Sequence, residues 1–141
     1  SGESHEANFH RDPQFGGTTD NLLHDSAYIG DADPKDPYLS PVFGRFDKIP
    51  PVLMQVGSEE VLLSDTLEVA DKIRAEKGKL RVSVYDGMFH EFQMALRLIP
   101  ESREAWEEVG TFLEIIYGIR RRPEGKVVRR VKSGRRQRDR Q

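Results

Sequence analysis

Cysteine is absent from the 141 residues, so no disulfide framework, thiolate zinc site or cysteine nucleophile can be built from them. That absence does not fix a compartment, and a reducing cytosol is only the default. Long apolar runs are missing as well. Nothing approaches the about eighteen consecutive apolar residues that a bilayer-spanning helix needs. The opening Ser1-Gly2-Glu3-Ser4-His5-Glu6 has neither the basic flank nor the apolar centre of a secretion signal. It also lacks an initiator methionine, which reads as a chain cut from a longer protein. Histidines are few, and His5, His10 and His24 show no metal-ligand spacing, so they are read as surface residues. Asp31, Asp33 and Asp36 invite a calcium-loop reading, which fails because the loop's sixth position is Asp36 instead of glycine and its twelfth is Val42 instead of glutamate.

What is present is enough for one domain. A chain of 141 residues with 36% hydrophobic residues can bury a core, and those residues gather between about 38 and 117. The net charge of −2 conceals an asymmetry: Arg120 to Gln141 holds 11 basic residues against Glu124 and Asp139, leaving an acidic body and a basic tail. The tail could touch phosphates of nucleic acid or an anionic membrane. A solvated, unstructured extension is the preferred reading.

Residues 1–17, with Asp12-Pro13 and Gly16-Gly17, have neither helical nor strand period and read as a surface connector. Thr18 or Thr19 caps an expected short helix through about Ile29. Residues 30–51, rich in proline and aspartate, read as a loop pinned to the body by Tyr38, Leu39, Val42 and Phe43. Val52-Leu53-Met54-Gln55-Val56-Gly57, opened by prolines and closed by glycine, suits a buried strand of a parallel sheet. A helix follows from about Ser64 to Lys77, with Ser64 as cap and Leu67, Ala70 and Ile73 on one face, ended by Gly78. Leu80 to Tyr85 alternates like a strand nearer the sheet's edge than its middle. A last helix of about Glu101 to Tyr117 follows Pro100, buries Trp106, Val109, Leu113 and Ile116, and stops at Gly118. The order strand, helix, strand, helix implies right-handed crossovers and a parallel sheet. Two strands do not make such a sheet, so further strands are expected upstream or in another chain.

In open parallel sheets catalytic groups gather beyond the carboxyl ends of the strands. Gly57 to Asp65 follows the first strand and Asp86 to Phe92 the second, bringing a carboxylate and His90 to adjacent loops at one rim. A carboxylate there can fix an imidazole's tautomer and stabilise its charged form. Met88, Phe89, Phe92 and Met94 beside it read as core or as acyl-pocket lining.

The block Pro50 to Gly57, then Glu60-Val61-Leu62, then Gly87-Met88-Phe89-His90-Glu91-Phe92 resembles the end of the hormone-sensitive-lipase-like esterases, an α/β-hydrolase group that includes arylacetamide deacetylases. Gly2-Glu3-Ser4, Arg11-Asp12-Pro13 and Gly30 to Pro37 extend the resemblance over roughly residues 1–117. It implies that residues 1–118 are the C-terminal portion of an α/β-hydrolase fold, incomplete by itself, with 119–141 a disordered basic tail. It further implies Glu60 as the acid and His90 as the base of a serine carboxylesterase triad acting on a small ester, with no cofactor and no metal. Many members carry aspartate followed by proline where this chain has Glu60-Val61, so Glu59, Asp65 and Asp86 stay open as alternatives.

The glycine-flanked serine of the nucleophile elbow and the His-Gly-Gly oxyanion loop have no match in the sequence. The nearest string, Gly2-Glu3-Ser4-His5-Glu6, lacks the second glycine and a preceding strand. The expectation is therefore a lipase-like hydrolase chain that supplies acid and histidine but is inactive alone. The rival is a non-catalytic binding module that uses the basic tail for an anionic partner. Oligomeric state and ester specificity stay open.

Overall fold

The computed structural model describes residues 2–14 and 29–119 and the backbone of 128–131. The helix expected near Thr18 to Ile29, and with it His24, lies outside the described residues, as do 120–127 and 132–141 of the basic segment.

The two central strands form where their β-branched and apolar residues predict them. β1 (Val52–Gly57) and β2 (Leu80–Tyr85) run parallel, in a register that sets Val52 beside Leu80 and Gly57 beside Tyr85. Level strand ends mean that the two following loops start side by side. The crossover is α2 (Leu63–Ala75), which turns Ala70 and Ile73 into the core, Ile73 at 2% exposure. Leu67, expected on that inner face, is 37% exposed instead.

Helix α2 also begins one residue early. Leu62 is the N-cap, so Ser64 sits inside the first turn and makes no capping bond. At its other end Lys77 takes the left-handed conformation (φ 62°) and the Gly78 N–H closes onto Ile73 O at 2.8 Å. A side chain at Gly78 would strike Ile73, so the glycine is required for close approach and the turn falls on Lys77.

The third long element, α3 (Pro100–Ile116), starts on proline as predicted, where the missing N–H costs nothing. It buries Ser102 and Ala105 rather than the expected Trp106, Leu113 and Ile116, which are 52%, 45% and 42% exposed. Its helical period was right, but among the described residues the sheet covers only the stripe through Ala105.

Two expectations fail outright. Residues 2–14 are not a featureless connector: a short helix, α1 (Glu3–Ala7), packs against α2. Val128–Val131, in the segment expected to be an unstructured tail, is a third parallel strand, β3, paired from Val82↔Val128 to Tyr85↔Val131. β2 therefore lies in the middle of the order β1-β2-β3, not at an edge. Valine favours extended backbone, and an open strand edge supplies a row of unpaired N–H and C=O groups that a four-residue strand can pair with.

The loop 30–51 is a loop, with a single 3-10 turn at Pro41–Phe43. Of the four apolar residues expected to pin it, Tyr38 and Phe43 are 92% and 49% exposed, and Leu39 and Val42 are half-buried. Polar ties hold it: Lys72 Nζ donates to Val42 O at 2.6 Å, and Glu76 Oε2 accepts the Phe46 N–H. Two of its aspartates cap local turns, Asp33 accepting from Lys35 N and Asp36 from Tyr38 N.

Candidate active site

Tyr85 to Met88 is a four-residue turn in which Met88 N donates to Tyr85 O at 3.3 Å and Gly87, third in the turn, supplies φ 72°. It turns the chain back toward the loop that follows β1. Three hydrogen bonds knit the two loops: Ser58 N to Tyr85 O (2.8 Å), Glu59 N to Met88 O (2.9 Å) and Gly87 N to Ser58 Oγ (2.8 Å). The approach is so close that a Cβ on Gly57 would lie 2.1 Å from Met88 O. Glycine is needed there because the other loop's backbone occupies the space a side chain would fill.

Glu60 and His90 meet across this seam. His90 Nδ1 lies 2.7 Å from Glu60 Oε1. Glu60 is 7% exposed, and its other oxygen, Oε2, accepts the Gly57 N–H at 3.0 Å. A carboxylate only accepts, so the imidazole must donate from Nδ1, which leaves Nε2 as the ring's proton acceptor in the neutral form. The other acids weighed from sequence are engaged elsewhere. Glu59 lies 3.9 Å from Arg11, Asp65 bonds His5 Nε2 at 2.6 Å, and Asp86 lies 3.4 Å from Ser58 Oγ. His5, read as a surface residue, thus has a structural contact.

The sequence reading missed what holds the acid loop. Asn8, 6% exposed, donates from Nδ2 to Ser58 O (3.1 Å) and Glu60 O (2.9 Å). Asp12, 2% exposed, accepts the Val61 N–H at 3.1 Å. Ser4 Oγ donates to Val61 O and accepts the Ser64 N–H at 2.8 Å, satisfying a first-turn amide of α2 from 60 residues away. Ser4 is thereby a buried clamp residue. The available signal was Asn8 and Asp12-Pro13 in a stretch too polar to be core; polarity alone reads as surface, and only the long-range partners reveal the burial.

After His90 the chain makes a tight bend. Glu91 is held at φ 54°, a conformation that non-glycine residues adopt at a cost. Phe92 then plugs the core at 1% exposure, tilted against the Tyr85 ring at 4.8 Å between centroids and packed with Ala105. Met88 and Phe89 pack partly buried against that cluster, whereas Met94 is 70% exposed. Beneath the site, Glu108 of α3 is met by Ser83 Oγ (2.7 Å), Arg81 (2.8 Å), Gln55 Nε2 (2.9 Å) and Tyr85 Oη (3.0 Å). Burial alone would raise this carboxyl. The hydrogen bonds from Ser83 and Gln55, the Arg81 charge and the Tyr85 hydroxyl outweigh it and hold the group below its ordinary value. Tyr85 is pushed well above the usual phenol range, first by burial and then by the Glu108 charge and hydrogen bond.

The sequence pattern of the α/β-hydrolase fold matches residues 2–94, two loops and both central strands included. The chain belongs to that family, in its hormone-sensitive-lipase-like esterase group. An esterase of Acinetobacter venetianus is 38% identical over 82 residues, 58% of this chain and 27% of the relative. An acetyl-hydrolase of Streptomyces hygroscopicus is 34% identical over 91 residues, 64% of this chain and 30% of the relative. Among solved structures, the esterase EstE5 superposes with a TM-score of 0.75 at 30% identity, over 82% of this chain and 38% of EstE5. A hormone-sensitive lipase from a metagenome library gives 0.60 at 30% identity, over 63% of this chain and 30% of its own. The chain thus spans under a third of these two curated relatives and matches well under half of either solved structure.

Proposed function

We propose that this chain carries the acid and base of a carboxylic-ester hydrolase, Glu60 and His90, and that the nucleophilic serine and oxyanion donors come from polypeptide outside these 141 residues. The observation that carries the reading is the 2.7 Å contact between His90 Nδ1 and a buried Glu60 anchored by the Gly57 amide. In the assembled site the serine hydroxyl attacks the ester carbonyl carbon while its proton passes to His90 Nε2. Glu60 holds the ring's orientation and stabilises the imidazolium. The tetrahedral adduct expels the alcohol, which takes the proton from Nε2. Water then repeats the sequence on the acyl-enzyme, releasing the acid and regenerating the serine. Small esters are the proposed substrates, in keeping with relatives described as esterase and acetyl-hydrolase.

The test compares the chain alone with a longer protein that restores a nucleophile-bearing front part, using a short p-nitrophenyl ester. The chain alone is expected to give no turnover above background. In the restored protein Glu60→Gln should lower kcat by about 10³- to 10⁴-fold, because the wrong tautomer is then favoured. Turnover in the restored protein that survives His90→Ala would end the assignment.

A further inference from the structure

The turn carrying His90 is fixed on one side by Glu60. Three residues past the imidazole it is fixed again. The carbonyl oxygen of Gln93, in the 3-10 turn Phe92–Ala95, accepts two hydrogen bonds from α3: Ser102 Oγ at 2.8 Å and Trp106 Nε1 at 3.1 Å. Ser102 is wholly buried, whereas Trp106 is 52% exposed yet turns its only polar atom onto this one backbone oxygen. The Gln93 side chain is tied to the same frame, its Nε2 lying 3.4 Å from Gln55 Oε1. The orientation of Gln55 is forced, because its Nε2 faces two groups that only accept, Ala105 O and the Glu108 carboxylate. α3 is in turn bolted to β2 through Glu108, Arg81 and Ser83.

Between the two fixed points lies Glu91 at φ 54°. A non-glycine residue keeps such a conformation only where its surroundings over-determine it. From this we infer that Ser102 and Trp106 are positioning residues for His90: their donors on the Gln93 carbonyl hold the bent segment that presents the imidazole to Glu60. Neither touches the reacting atoms. Both act through the backbone. The role rests on His90 being the base, but the geometry it predicts can be read without turnover.

The probe is the Nδ1 proton of His90 in the 141-residue chain, observed by NMR as the downfield resonance of an imidazole bonded to a carboxylate. In the parent it should be sharp. Trp106→Phe removes one donor from a half-exposed ring, and Ser102→Ala removes the other. The double variant should broaden or lose the resonance while its circular-dichroism melt stays cooperative. Adding Glu91→Asn, a residue that tolerates the left-handed conformation, should restore it, an outcome that a general loss of packing would not give. Trp106→Phe alone keeps the test usable if Ser102→Ala unfolds the chain. In a restored enzyme kcat should fall about ten- to a hundredfold with KM little changed. A resonance as sharp in the double variant as in the parent overturns the inference. Loss without recovery on Glu91→Asn overturns it too. Turnover that survives His90→Ala would instead sink the esterase reading and with it any positioning role, while the resonance of His90 would still report whether Ser102 and Trp106 hold the bend.

Discussion

Replacing Gly57 by alanine places a single methyl group at the seam between the two site loops. The added carbon would lie 2.1 Å from Met88 O, 2.4 Å from Met88 C and 3.0 Å from Phe89 N, all backbone atoms that no rotamer change can move. Relief requires the loops to part by about 1.3 Å or more, to an ordinary contact distance of about 3.4 Å. The 2.9 Å bond from Glu59 N to Met88 O then breaks, and the 2.7 Å pair of Glu60 and His90 is stretched. Overpacking costs about 1–3 kcal/mol and the lost hydrogen bond about 1 kcal/mol. Together these lower the melting temperature by roughly 7–13 °C for a chain of this size. The assay is thermal unfolding followed by circular dichroism, with urea midpoints as a check. Gly110→Ala is the control: this glycine is inside α3 with nothing within 4 Å of its Cβ position, so the exchange should be neutral or stabilising by about 0.5–1 kcal/mol. A Gly57→Ala melt within about 2 °C of the parent, on the scale just derived, would refute the tight seam and with it the rigid placement of Glu60 against His90.

The N-terminal clamp makes a second prediction. Asp12→Ala leaves the Val61 amide buried without its acceptor and should destabilise the chain by about 1–3 kcal/mol in urea titrations. Asn8→Ala removes the bonds to Ser58 O and Glu60 O and, in a restored enzyme, should depress kcat more than it raises KM. The Glu108 cluster predicts a pH effect. Its carboxyl is lowered in the fold, so its contribution is complete above the unfolded value of about 4.3 and is lost as pH falls through the folded one. Glu108→Gln should therefore flatten the acid limb of a stability profile between about pH 5 and 3, and an unchanged slope would count against a folded carboxylate there.

The two central strands, the two long helices and the pairing of rim loops were legible because each has a local signature, whereas β3 lay in a segment read as an unstructured tail. Pro50-Pro51 and Gly57 bracket β1, alternation marks β2, and Pro100 opens α3 within a residue of its expected start. That a carboxylate and His90 would share a rim was legible for a further reason: in a parallel sheet the loops beyond neighbouring strands lie side by side. Glu60 as that carboxylate was implied only by the family resemblance, with Glu59, Asp65 and Asp86 left open. Burial was less well read. Trp106, Leu113 and Ile116 follow the helical period but stay exposed, since period reports a face and not what covers it.

By itself, then, the order of residues determined the two central strands, the two long helices, the parallel arrangement of the strands and which two loops would be neighbours, because these follow from short-range sterics, hydrophobic period and chain connectivity. Tertiary structure alone decided which carboxylate meets the imidazole, that Gly57 must lack a side chain, and that Ser4, Asn8 and Asp12 are buried against a loop about 50 to 60 residues away. A hydrogen bond's partner depends on distance and angle to within a few tenths of an ångström. No local pattern encodes that; it is fixed only when the register of β1 and β2 brings their strand ends level.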